Sequence, residues 1–173
     1  MIMKWYHKLG IIIFIVGVVF VCLNVIPIKY KISKTVKGVK WEFDNAELQE
    51  TVSITIDGEY TRYVLHFFDR SDYFEGTFSV SGYEFTQSTD TFLFRVNFDY
   101  GFYNMATLHY GGSQAHPVLG TIYSDKQMSQ GVILLNDKLT DSQMQQVISF
   151  PCEDRAQASL LARKLLPEGF QFD

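Results

Sequence analysis

Beyond residue 40 the chain offers three histidines, one cysteine and one dense charged stretch with which chemistry could be done. His66, His109 and His116 fall on different predicted strands or loops, so no local spacing brings two of them together. Cys152 could act as a nucleophile only as a thiolate. The adjoining Glu153 and Asp154 oppose that charge, although a nearby helix N-terminus would favour it. Asp69, Arg70, Asp72 and Glu75 form the densest charged group. Carboxylates at that spacing could hold Ca2+, but the glycine and ligand order of an EF-hand is absent, and a solvated turn is the expectation. There is no Gly-x-Ser-x-Gly, no glycine-rich phosphate loop, no paired-cysteine zinc spacing and no His-Glu-x-x-His. No catalytic residue, metal or cofactor is therefore assigned.

Aromatic side chains are the more informative feature. Sixteen of the fifty-one residues from Tyr60 to Tyr110 are Phe or Tyr, including the neighbours Phe67-Phe68, Tyr73-Phe74 and Phe102-Tyr103. Neighbours on a regular strand point to opposite faces, so one face cannot bury them all. Either the sheet is covered on both sides, or some aromatics line a cavity or platform for an apolar ligand, a glycan or a partner protein. Tyr100, Phe102 and Tyr103, around Gly101, are the candidate ligand-binding residues.

The elements that position these residues read as an antiparallel β domain over residues 41–173. Val52, Ile54 and Ile56 alternate with Thr51, Ser53 and Thr55. Asp57-Gly58 then has the composition of a tight hairpin before Tyr60 to Phe68. A second hairpin is predicted around Ser81-Gly82, with Phe78 and Val80 entering and Tyr83 and Phe85 leaving. Further strands are expected at 92–98, 103–110, 118–124, 132–135 and 147–150. About eight short strands suggest a small barrel or sandwich. One helix, over about 153–166, starts with Glu153 and Asp154 and ends with Arg163 and Lys164 before Pro167, as the helix dipole favours. Its stripe of Ala156, Leu160, Leu161 and Leu165 is expected to cap an end or face of the sheet. Thr140 to Gln143 resembles a capping box.

Ahead of this domain, Leu9 to Ile28 is a run of twenty uncharged residues, about 30 Å as a helix and long enough to span a bilayer core. Residues 1–8 form a charged flank, 9–28 a transmembrane helix and 29–40 a basic juxtamembrane spacer. Trp5, Tyr6, Lys29, Tyr30 and Lys31 are the expected membrane-interface residues. A cleaved signal peptide is the competing reading, but the apolar run is long for one and no small-x-small cleavage site follows it. Val21 stands where lipoprotein processing wants a small residue, so Cys22 reads as an apolar residue facing lipid.

Charge is divided between the two parts. Residues 1–40 hold seven lysines and no acid, whereas residues 41–173 hold eight basic and nineteen acidic residues, a balance of −11. Such a domain is a poor partner for nucleic acid, while the lysines of 29–40 suit anionic lipid headgroups. Orientation pits two arguments against each other. The lysines after the helix favour a cytoplasmic domain, whereas a short charged N-terminus followed by an apolar run has the layout of a signal anchor. The outer face is expected, with the cytoplasmic face as the alternative.

The segments Val52-Ser-Ile-Thr-Ile-Asp-Gly, Tyr73-Phe-Glu-Gly-Thr-Phe and Gly120-Thr-Ile-Tyr-Ser-Asp resemble those of small, uncharacterised membrane-anchored β-rich proteins of Gram-positive bacteria. The resemblance implies a bacterial cell envelope location and brings no activity, cofactor or catalytic residue. A lipocalin-like barrel with a trailing helix is a looser analogy on strand count, and fold analogy does not transfer function. The expected function is a non-catalytic binding or interaction module at the membrane surface, with the lipid bilayer as one partner. The alternatives are an envelope hydrolase using Asp69, Asp72 or His66, and a scaffold docking through the C-terminal helix.

Overall fold

The computed structural model describes residues 3–43, 48–64, 71–87, 94–98, 105–109, 118–136, 145–167 and 170. The apolar run forms helix α1 (Met3–Val25), about 35 Å long, and none of its Trp5–Cys22 stretch is covered by the rest of the protein. A helix of this length and composition is able to cross a membrane.

Eight strands follow: β1 (Ile28–Glu42), β2 (Gln49–Arg62), β3 (Asp72–Val80), β4 (Phe94–Phe98), β5 (Met105–His109), β6 (Val118–Ser124), β7 (Gly131–Leu135) and β8 (Gln146–Phe150). All pairings are antiparallel, and the sheet runs β4-β3-β2-β1-β8-β7-β6-β5. The two ends of this order, β4 and β5, lie alongside one another, so the sheet curls into a nearly closed barrel. Apart from that seam, each strand pairs with its neighbour in the chain and β8 returns to β1, the layout of an up-and-down barrel.

Alternation decides what is inside. In β3 every second residue from Asp72 to Val80 is buried, and the inward set of β2 includes Val52, Ile54, Ile56 and Tyr60. These pack with Val96, Phe98, Leu108, Ile122, Met128, Ile133, Ile148 and Phe150 into one interior cluster. A second cluster lies on the outer face, where helix α2 (Arg155–Leu165) covers β1, β7 and β8. Ala158, Ala162, Cys152 and Leu166 meet Val39, Trp41, Val132 and Val147 there. The helix thus caps a face of the sheet, but through Ala158 and Ala162 with Leu161 and Leu165, while Ala156 and Leu160 of the expected stripe are exposed. It begins at Asp154, whose side chain accepts from the Gln157 amide at 2.8 Å. The aromatics divide between both faces. Tyr60, Phe74, Phe78 and Phe98 are inside, while Tyr73 alternates with Phe74 and carries the Arg95 guanidinium 4.0 Å from its ring centroid.

The strands expected at 118–124, 132–135 and 147–150 form within one residue of those limits, and Ser81-Gly82 turns with Gly82 at φ +84°. The chain leaving that turn is a single 3-10 turn (Glu84–Gln87) rather than a strand. The Thr86 hydroxyl accepts from the Val80 amide at 2.9 Å, and Tyr83 and Phe85 pack against the interior cluster.

Two further expectations are corrected. Asp57-Gly58 makes no hairpin: β2 runs straight through it, with Asp57 opposite Ser33 and Gly58 opposite Ile32. Gly58 also faces Gly76 across the β2–β3 ladder. A Cβ on Gly58 would come within 2.7 Å of the Gly76 Cα and 2.6 Å of Phe74 Cζ, so the pair of glycines serves close strand approach beneath an inward ring. Residues 29–40, expected as a basic juxtamembrane spacer ahead of the β domain, are most of β1. Their lysines hide an inward set of Ile32, Lys34 and Val36, of which Ile32 and Val36 pack against the interior cluster.

Gly58→Ala should therefore destabilise the barrel by about 2 kcal/mol, the scale of overpacking a filled interior. Thermal denaturation of the full chain in detergent checks this, and an unchanged melting temperature would contradict the close approach.

Candidate functional site

One end of the barrel, where β1 starts, β2 stops and β3 starts, holds a cleft of about 750 Å3. It exists because β1 is paired unevenly. Fourteen of its residues ladder with β2, but only Val39 to Glu42 ladder with β8. Ile28 to Val36 have a strand on one side alone, and the cleft lies between this stretch and the turn joining β6 to β7.

Four cationic side chains line it: Lys31 and Lys34 from β1, Arg62 at the end of β2 and Lys126 from the β6–β7 turn. Among the described residues no carboxylate stands within ion-pair distance of Lys31, Lys34 or Arg62. Ile32 and the stacked rings of Tyr30 and Tyr60, 6.2 Å apart, supply an apolar wall.

The one carboxylate of the lining is Asp72, which is almost fully buried. It accepts from the Tyr60 hydroxyl and from the Tyr63 amide, each at 2.9 Å, and Lys126 Nζ lies 3.7 Å away. Burial first, and then the bond to Asp72 and its charge, push the Tyr60 phenol far above its usual range, so it stays protonated and donates. Asp72 is thus a bonded structural group at the start of β3, not the solvated turn expected of it. Glu75, on the opposite parity, pairs with Arg95 at 2.9 Å on the surface.

The turn that carries Lys126 is locally braced. The Asp125 carboxylate accepts from the Ser129 and Gln130 amides at 2.6 and 3.2 Å and from the Ser129 hydroxyl. Met128 adopts a positive φ of 53°, unusual for a residue with a side chain, and that side chain is fully buried with Ser124 Oγ 3.0 Å from its sulfur. Lys126, Gln127 and Ser129 are held at the cleft as a result.

Of the residues singled out from sequence, Tyr30 and Lys31 line the cleft. Lys29 lies on the outward parity of β1 and binds Glu59 at 2.6 Å, an exposed pair of small energetic weight. Trp5 and Tyr6 contact edge to face on the exposed surface of α1. Tyr100, Phe102, Tyr103, His66, Asp69, Arg70, His116 and the segment 140–143 lie outside the described residues. Cys152 is buried beneath α2 on the outer face, among Val39, Trp41 and Ala158. Burial, and then the Asp154 carboxylate, push its thiol up to about 11. Lys34 was read only as one of the lysines of 29–40, and Arg62 and Lys126 were not singled out. The parity shared by Lys34 with Ile32 and Val36 was the available signal for one of them, and nothing local marks the other two.

Chemically, the cleft presents several fixed cations beside an apolar wall, with its carboxylate already engaged. Such a surface complements an anion that carries an apolar portion. Comparison with protein-family models, with curated proteins and with solved structures gives no match.

Two outcomes follow. Asp125→Ala should lower stability by about 1–3 kcal/mol, the scale of leaving several donors without their acceptor, which chemical denaturation measures. In unfolded chain the Cys152 thiol ionises near 9, whereas in the folded chain it holds its proton to about 11. Its contribution is present below pH 9 and is lost as pH rises toward 11, up to about 2 kcal/mol. Melting temperatures across pH 8–11 should fall more steeply for the native chain than for Cys152→Ala.

Proposed function

We propose that the chain is a single-pass membrane protein whose β barrel is a non-catalytic binding module held at the membrane surface, on the outer face of a bacterial cell envelope. One observation carries this reading: the cationic cleft is at the end of the barrel joined to the apolar helix. Only Ile26 and Pro27 separate α1 from β1, and Lys34 is nine residues from the helix end, at most about 30 Å of extended chain. Any ligand of the cleft is therefore met close to the bilayer boundary. The layout of a signal anchor supports the outer face, and long domains translocate largely regardless of their charge. The segments resembling those of Gram-positive membrane-anchored proteins agree with an envelope location.

Carbonate washing and protease treatment of cells test the reading together. The chain should stay in carbonate-washed membranes, and the barrel should be digested in intact cells, leaving a protected fragment that contains residues 9–28. Release of a product beginning after Cys22 would overturn the anchor. Protection until permeabilisation would move the module to the cytoplasmic face.

A further inference from the structure

The clustering of four cations at one barrel end runs against the charge of the rest of the domain. The barrel and its helix, residues 28–173, hold thirteen basic and nineteen acidic residues, a balance of −6, so the domain as a whole is anionic and a local positive patch is not its default. The cations also come from three separate elements, β1, β2 and the β6–β7 turn, which only the closed fold brings together.

We propose that this mouth binds the phosphate group of an anionic lipid headgroup, taken from the membrane in which the chain is anchored; the inference rests on the anchored-module reading above. Lys34, Arg62 and Lys126 surround the phosphate, and Lys31 adds charge from the free stretch of β1. Ile32 and Tyr60 contact the glycerol and first acyl carbons. The size of the cleft fits this division, because about 750 Å3 lies in the usual range for whole small ligands, and a bare phosphate would leave most of it unfilled. Asp72 is a weak obstacle to an anion, since Tyr60, the Tyr63 amide and Lys126 already face its oxygens. The frame is set before the ligand arrives. β1 is fixed by its long ladder with β2, and the turn by Asp125 and by the buried Met128. Anchoring raises the effective concentration of headgroups at the cleft, so modest intrinsic affinity suffices.

The test uses the full chain in phosphatidylcholine nanodiscs, titrated calorimetrically with dihexanoyl phosphatidic acid, dihexanoyl phosphatidylcholine and inorganic phosphate. Saturable one-to-one binding of the phosphatidic acid is expected, with inorganic phosphate weaker. Lys34→Gln and Arg62→Gln should each weaken it by roughly tenfold or more, the scale of one charge-assisted hydrogen bond. Lys126→Gln probes the same site from the turn, should either variant lose its far-UV circular dichroism. Lys37→Gln removes the same charge from the outward parity of β1 and should change affinity less than about twofold, as expected of an exposed charge. Equal losses for Lys37→Gln and Lys34→Gln would overturn a built site in favour of diffuse surface attraction. Inorganic phosphate binding as tightly as the lipid would overturn the headgroup as the source. A chain that stays in carbonate-washed membranes yet binds none of these probes overturns the headgroup site and leaves the anchored-module reading standing.

Discussion

The ladder between β1 and β8, only four residue pairs long, is what makes one domain of this chain. Without it the sequence would form two antiparallel meanders, β1–β4 and β5–β8, each with an apolar face and two open edges. Pairing Val39–Glu42 with Gln146–Ser149 turns the two apolar faces toward each other and creates the interior cluster from both halves. Polar contacts reinforce the junction: the Trp41 indole donates to Ser149 Oγ at 3.1 Å, and Gln146 donates to Glu42 at 2.6 Å. Helix α2 then seals the outside, where Arg155 reaches the carbonyls of Glu42 and Phe43 at 2.9 and 3.1 Å and lies near the Trp41 ring. Pairs so far apart in sequence are slow to find and hold only because desolvation of the clusters accompanies them.

The shortness of that ladder has a second effect. Because β8 leaves β1 after four pairs, the first half of β1 faces the β6–β7 turn across a gap, and the cleft is that gap. An unpaired strand stretch is a risk for edge-to-edge association, and the lysines of β1 oppose it by charge. The same lysines supply half of the cationic lining. Protection of the edge and recognition of an anion therefore draw on one set of residues, and parity separates them only in part, because Lys31 lines the cleft from the outward set. Lys34 shares the inward set with Ile32 and Val36, while Lys29, Lys31 and Lys37 belong to the outward one.

Much of the fold was legible where a single local signal had no rival. The limits of β6 to β8 followed from short apolar runs between turn residues, and α2 from its acidic start, basic end and Pro167. The reading failed where one residue type serves two purposes. Asp57-Gly58 has the composition of a turn, but glycine is also what two strands need to approach beneath the Phe74 ring. The lysines of β1 have the composition of a spacer, and the apolar residues between them were too few to reveal a strand without its partner β2. Asp72 sat in a charged stretch that reads as solvated until Tyr60, twelve residues earlier, is placed against it.

What the sequence determined by itself was local. It specified an apolar helix of membrane-spanning length, the alternation that sorts inward from outward residues, and the capped C-terminal helix, because each depends on periodicity and end effects within a few turns. Tertiary structure alone decided which strands close the barrel, where the closure stops, and which charges share the mouth. Lys34, Arg62 and Lys126 are separated by up to 92 positions and meet because the β1–β2, β1–β8, β7–β8 and β6–β7 pairings join in one sheet. Coulomb attraction and repulsion act through distance in space, and no spacing along the chain encodes that distance.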